Sequence, residues 1–165
     1  MPSEIRFTET QKFDQWWLRL LLLFVNAFIA YGTYKQVVLG VPFGDQPTSN
    51  SLLLCIFFIL VLFTGVLLFT RLETLIREDG VYVRFYPFQR QFKSYKWNQI
   101  ARYAVVVYKP IRDYGGWGLR ISGSGTAITT AGDEGLQLEF HNGKHLLIGT
   151  RNPAGMKAAL NEISR

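Results

Sequence analysis

The chain has 165 residues and a formal charge of +6, and the charge is unevenly placed: residues 1–70 carry four basic and four acidic groups, residues 71–165 fourteen and eight. An apolar share of 48% without charge blocks excludes a disordered chain, a collagen-like rod or a nucleic-acid-binding tail. The lone cysteine, Cys55, excludes a disulfide framework.

The leading stretch, residues 1–15 (MPSEIRFTETQKFDQ), is mixed in charge and too long for the compact basic region that opens a signal peptide. The apolar run behind it is longer than a signal peptide's and no A-x-A cleavage site follows, so an uncleaved membrane hairpin is expected, with 1–15 as its cytoplasmic N-terminal segment. The first transmembrane helix is placed at 16–39. It carries Arg19, Asn26 and Lys35, with Trp16, Trp17, Tyr31 and Tyr34 where interfacial aromatic belts belong. Arg19 can snorkel past the tryptophans, and Asn26 is expected to bond across to the other helix near Thr64 or Gly65. Residues 40–50, rich in Gly, Pro and polar groups, form the external loop. The second helix is placed at 51–70, where 16 of the side chains are apolar and none is charged. Such a run rises roughly 30 Å, the thickness of a bilayer's hydrocarbon core. A buried core helix would need a surrounding core that a chain this small does not supply.

Lys and Arg cluster beside the outer ends of this hairpin: Arg6, Lys12 and Arg19 before it, Arg71 and Arg77 after it, against Lys35 alone on the loop side. The positive-inside rule then puts both termini in the cytoplasm and the chain in the inner membrane as a two-span protein.

From Arg71 onward the hydrophobic period becomes alternating. Strands are expected at 72–78, 81–88, 92–97, 100–108, 117–122, 126–131, 136–141 and 144–149. Turn signals separate them: Asp79–Gly80, Gly123-Ser124-Gly125, Gly132–Gly135 and Asn142–Gly143. Short strands with such turns predict an antiparallel barrel or sandwich. A closing helix follows, with Asn152 as cap, Pro153 in its first position, and Met156, Ala159, Leu160 and Ile163 on one face.

Three stretches carry a family resemblance: Arg71-Leu72-Glu73-Thr74 through Asp79-Gly80-Val81, Tyr114-Gly115-Gly116-Trp117-Gly118-Leu119-Arg120, and Leu147-Ile148-Gly149-Thr150 through Pro153. With the hairpin before them, they resemble the bacterial pleckstrin-homology-like (bPH) domain family of small two-helix membrane proteins. The resemblance covers about residues 70–165. It implies an α+β membrane protein, with a transmembrane helical hairpin followed by a small antiparallel PH-like β-barrel capped by a C-terminal helix. That fold has seven core strands, against eight extended segments here. It also implies that Leu146 and Ile148 face the barrel beside the Met156–Leu160–Ile163 helix, with Leu147 opposite.

No catalytic arrangement emerges. Ser124 lies in GSG without a nucleophile elbow, Asp133–Glu134 point apart in a turn, and the 113–118 loop lacks both the P-loop and dinucleotide fingerprints. Its Tyr114, Gly115, Gly116, Trp117 and Gly118 form a loop of binding character, or else a tight crossing with Trp117 filling the barrel. His141 and His145 would point to opposite faces if Asn142–Gly143 is a two-residue turn, so no metal site is expected. The chain is read as non-enzymatic, without cofactor. Arg71, Arg77, Arg84, Arg90, Lys93 and Lys96, interleaved with aromatics, are candidate lipid-facing residues; the competing reading is that they only set topology. Phosphoinositide recognition of the eukaryotic kind is disfavoured by the Glu78-Asp79-Gly80 turn, and a nucleic-acid partner by the modest charge and the tether. The expected function is a membrane-anchored binding or scaffold module mediating protein assembly, with itself or other membrane proteins. The alternatives are an anionic-lipid sensor and, second, an enzyme built on the 113–118 loop.

Overall fold

Ile5–Lys12 forms a strand, β1, where the sequence suggested only a leading segment. A computed structural model describes residues 4–122 and 125–163. Ser124, and with it most of the expected 123–125 turn, lies outside the described residues. β1 pairs antiparallel with β2 (Arg71–Arg77), in register from Phe7 opposite Ile76 to Lys12 opposite Arg71. Its inward side chains Phe7 and Gln11 are 8% and 2% exposed. The chain therefore divides into Asp14–Phe69 and a β unit that joins the residues up to Phe13 to those from Thr70 onward.

The Asp14–Phe69 unit is a pair of helices. α1 (Trp16–Thr33) runs on through a π-helical turn at Tyr34–Val38, and α2 spans Asn50–Phe69. Both helical segments are long and apolar enough to cross a membrane. Only 11% and 6% of their most apolar windows are buried, which is the reverse of a soluble core helix. Asn26 Nδ2 donates to Thr64 Oγ1 at 2.9 Å, the expected cross-helix bond, and to the Leu22 carbonyl at 2.7 Å. Gln36 organises the connection: its amide donates to the Thr48 carbonyl at 2.7 Å and to Asn50 Oδ1 at 2.9 Å, while its oxygen accepts the Phe43 N–H. Phe43 packs so closely on Gly32 that a Cβ there would lie 2.5 Å from its ring.

The β unit contains all eight expected strands. β2, β3 (Gly80–Tyr86) and β4 (Lys93–Lys96) follow β1 in one sheet, in order β1-β2-β3-β4. β5 (Ile100–Val107), β6 (Gly118–Ser122), β7 (Gly125–Thr129), β8 (Glu134–Phe140) and β9 (His145–Gly149) form a second sheet, in order β5-β8-β9-β7-β6. The expected closed antiparallel barrel is corrected in two respects. Among the described residues the two sheets share no strand pairing, and β9 runs parallel to β7 while antiparallel to β8. The last strand enters the gap between its two predecessors, so the four residues 130–133 must straddle its end.

One core fills the space between the sheets, built from Leu72, Ile76, Val81, Val83, Leu136, Leu138, Leu146 and Ile148, all 3% exposed or less. α4 (Pro153–Ile163) covers it with Met156, Ala159 and Leu160. Asn152 Oδ1 caps this helix, accepting the Gly155 N–H at 2.9 Å. Leu146 and Ile148 face Met156 as expected, but Leu147, only 1% exposed, is buried too. It packs with Tyr108 and Ala127 beneath Tyr114 of α3 (Pro110–Tyr114), so β9 is covered on both faces.

One turn is shifted by a residue from its expected position and another is a residue longer. Arg77 opposes Gly80, which makes Glu78–Asp79 the central pair of the β2–β3 turn. At the β8–β9 turn the Phe140 N–H bonds the Lys144 carbonyl at 2.9 Å, leaving a three-residue loop of His141, Asn142 and Gly143. Gly143 takes φ +76°, the left-handed conformation that such a loop requires.

Candidate functional site

Alternation along β2 and β3 turns Leu72, Thr74 and Ile76 inward and Arg71, Glu73 and Arg77 outward, with Tyr82, Arg84 and Tyr86 beside them. Cross-strand register sorts this outer face into levels. Lys12, Arg71 and Tyr86 stand together at one end, Glu73 and Arg84 come next, and Arg77 and Lys96 stand at the other end. The strand rise separates the two ends by about 20 Å. The chain enters and leaves the helical pair from the first end: Lys12 lies four residues before α1 and Arg71 two after α2.

The six candidate cations are therefore not one patch. Arg71 and Arg84 both pair with Glu73, Arg71 at 2.7 Å and Arg84 Nε at 2.8 Å. Lys96 pairs with Asp79 and lies 2.9 Å from the Tyr82 hydroxyl; the Asp79 bond, then the Tyr82 bond, raises its pKa above the usual lysine value. Arg77 covers the Tyr82 ring at 5.1 Å. Lys93 sits opposite inward-facing Val83, on the other face of the sheet, and Arg90 lies in the β3–β4 loop. Neither has an ion pair among the described residues. Lys12 joins the first end although it lies outside the six candidate cations, and Tyr86 and Phe88, two of the interleaved aromatics, stand there with it. Phe88 is 65% exposed and stacked on Phe85 at 5.6 Å, so an exposed phenyl stands in the same loop as Arg90.

The glycine-aromatic loop makes a tight crossing. Gly115, at φ +71°, ends α3 and gives its N–H to the Ile111 carbonyl, while the Gly116 N–H goes to Pro110; both distances are 2.9 Å. Those amides are spent on the helix end and are not free to cradle an anion. Trp117 does not fill the core. Its indole N–H donates to the Gly132 carbonyl at 2.9 Å, pinning the loop to residues 130–133. Tyr114 is the loop residue that packs, over Tyr108 and Leu147, and burial raises its pKa.

A groove of about 480 Å³ opens where β4 faces the β8–β9 turn. Lys93 and Tyr95 line one side, and Phe140, Lys144 and Leu146 the other. His141 and His145 border the same groove, and none of its lining residues is acidic. Among the described residues no three His, Cys, Asp or Glu side chains are placed to hold a metal ion.

A family model, the family of unknown function DUF6141, matches residues 2–164. The chain belongs to DUF6141. No curated protein and no solved structure matches this DUF6141 chain.

Proposed function

We propose that this DUF6141 protein is a non-enzymatic, PH-like binding and scaffold module, anchored at the cytoplasmic face of the inner membrane and mediating protein assembly. The observation that carries the reading is the ladder between β1 and β2, the strands on either side of the apolar helical pair. Hydrogen-bonded neighbours share one side of a bilayer, so a helical pair inserted between them crosses an even number of times. The Lys and Arg bias of the flanks makes that side cytoplasmic. Sheet order β1-β2-β3-β4 with a second sheet and a closing helix supports the PH-like assignment; the parallel β7–β9 pair departs from it. Val107, Ile111 and Ile121, exposed by 72%, 72% and 85%, support assembly, because aliphatic groups this bare gain most from a protein contact.

In a Cys55→Ala background, a cysteine at Ser49 should react with an impermeant thiol reagent from outside, and one at exposed Asn142 only after lysis. The full chain purified in mild detergent should carry a second copy or another membrane protein in stoichiometric amount. Reversed labelling would refute the topology, and a bare monomer the assembly.

A second reading, contact with anionic headgroups, is favoured by Lys12, Tyr86, Phe88 and Arg90 at the strand end from which the chain runs into the helices. Connectivity keeps Lys12 and Arg71 within a few residues of the helix ends, where the Debye length of about 8 Å still lets them act. A β unit with Asp14–Phe69 replaced by an Asn-Gly turn should bind anionic vesicles over neutral ones and release with salt. Changing Lys12 and Arg90 to Gln should weaken binding by about 2 kcal/mol, near 1 per cation, whereas Arg77→Gln with Lys96→Gln should change little. Equal binding to both vesicle types would leave these charges with topology alone.

A further inference from the structure

The groove between β4 and the β8–β9 turn has a composition that the membrane reading does not use. Its floor is apolar: the Tyr95 and Phe140 rings meet at 5.3 Å, and Leu146 lies beside them. Register explains why these groups meet, since Tyr95 opposes Val81 and Leu146 opposes Leu138, all on the inward faces of their sheets. Two exposed lysines flank the floor, Lys93 from β4, with its Nζ 5.4 Å from the Tyr95 ring, and Lys144 from the turn before β9. Neither is neutralised by an ion pair among the described residues, and no carboxylate lines the groove. The volume falls within the range of small-molecule sites.

We propose that this groove binds a phosphomonoester carried on a flat or apolar body. The body lies on Tyr95, Phe140 and Leu146, and the dianionic group sits between Lys93 and Lys144. Two ammonium groups facing a site without acid favour a doubly charged head over a neutral one, and the aromatic floor favours an organic body over inorganic phosphate. Lys93 lies on the opposite face of the first sheet from Lys12 and Arg71, so the groove stands or falls independently of the membrane reading.

The full chain in phosphatidylcholine nanodiscs is titrated with phenyl phosphate and with inorganic phosphate, and binding is read by NMR line broadening of the ligand. Phenyl phosphate should bind about tenfold tighter than inorganic phosphate. Lys93→Gln with Lys144→Gln should weaken it by about tenfold or more without lowering the melting temperature, since both side chains are exposed. No binding of phenyl phosphate, equal affinity for the two phosphates, or an unchanged double variant overturns the proposal. The source is read by comparing discs doped with phosphatidic acid, a lipid phosphomonoester, against discs doped with phosphatidylglycerol, a phosphodiester of like sign. Selective loss of phenyl phosphate binding in the former assigns the groove to a lipid headgroup; equal binding assigns it to a soluble phosphomonoester.

Discussion

Removing the residues before Phe13 is expected to unfold the β unit, although they lie outside the run of strands that begins at Arg71. Phe7 is part of the core, and losing a buried phenyl typically costs 3–5 kcal/mol. Gln11 donates to the Gly149 carbonyl at 2.7 Å and accepts from Thr130 Oγ1 at 3.1 Å, both in the buried seam between the sheets. Each group left without a partner there costs about 1–3 kcal/mol. Glu9 adds bonds to Thr150 Oγ1 at 2.7 Å and to the Arg151 N–H at 2.8 Å, tying β1 to the entry of α4. The sum approaches the whole stability of a small domain, about 5–15 kcal/mol. Residues from Thr70 onward, expressed alone, should therefore give the circular dichroism and amide spectrum of an unfolded chain. Joining Phe13 to Thr70 through Asn-Gly should restore a cooperative melt in water, because Lys12 and Arg71 already stand opposite each other. A cooperative melt from the truncated chain would reduce β1 to an accessory.

Leu147→Ala and Ile148→Ala should each destabilise the turn-joined β unit by about 2–5 kcal/mol in urea titrations, although the two side chains point in opposite directions. Ile148 is fully buried between the sheets, and Leu147 lies beneath Tyr108 and Tyr114 on the other face. A near-neutral Leu147→Ala would mean that the second cluster is loosely packed. The same cluster sets a pH limit. Burial is the first cause that pushes the Tyr108 phenol from 10.0 up to about 12. The folded state then holds a proton that the unfolded chain releases, so stability is complete below pH 10 and declines as pH rises from 10 toward about 12. Tyr108→Phe should remove that part of the alkaline decline and lower neutral-pH stability by about 1 kcal/mol at most, the loss of its 3.4 Å bond to the Gly132 carbonyl.

β1 shows why part of the fold was hidden. Its inward positions hold Phe7, Glu9 and Gln11, so only one of the three carries a hydrophobic signal. The other two are satisfied by partners more than a hundred residues away, which no local period reports. The six cations were misgrouped for a related reason. Nearness in sequence made them one patch, but the hairpin reversals at Glu78–Asp79 and in the β3–β4 loop send Arg77 and Lys96 to one end and leave Arg71 at the other. The groove has no local signature, because Lys93 lies on β4 of one sheet and Lys144 in the turn before β9 of the other.

Local physics determined what the sequence alone could state about this protein: two bare apolar helices, the Asn26–Thr64 bond, eight alternating strands and an Asn152-capped closing helix. All but the Asn26–Thr64 bond, which needs only two apolar helices side by side, depend on neighbours within a few residues or on apolar length against bilayer thickness. The tertiary structure decided the pairing of β1 with β2 across the helical pair, the insertion of β9 between β7 and β8, and the lining of one groove by both Lys93 and Lys144. Those are choices among hydrogen-bond partners of equal local quality. Only the burial of one shared core, completed by Phe7 and closed by Met156 and Leu160, selects among them.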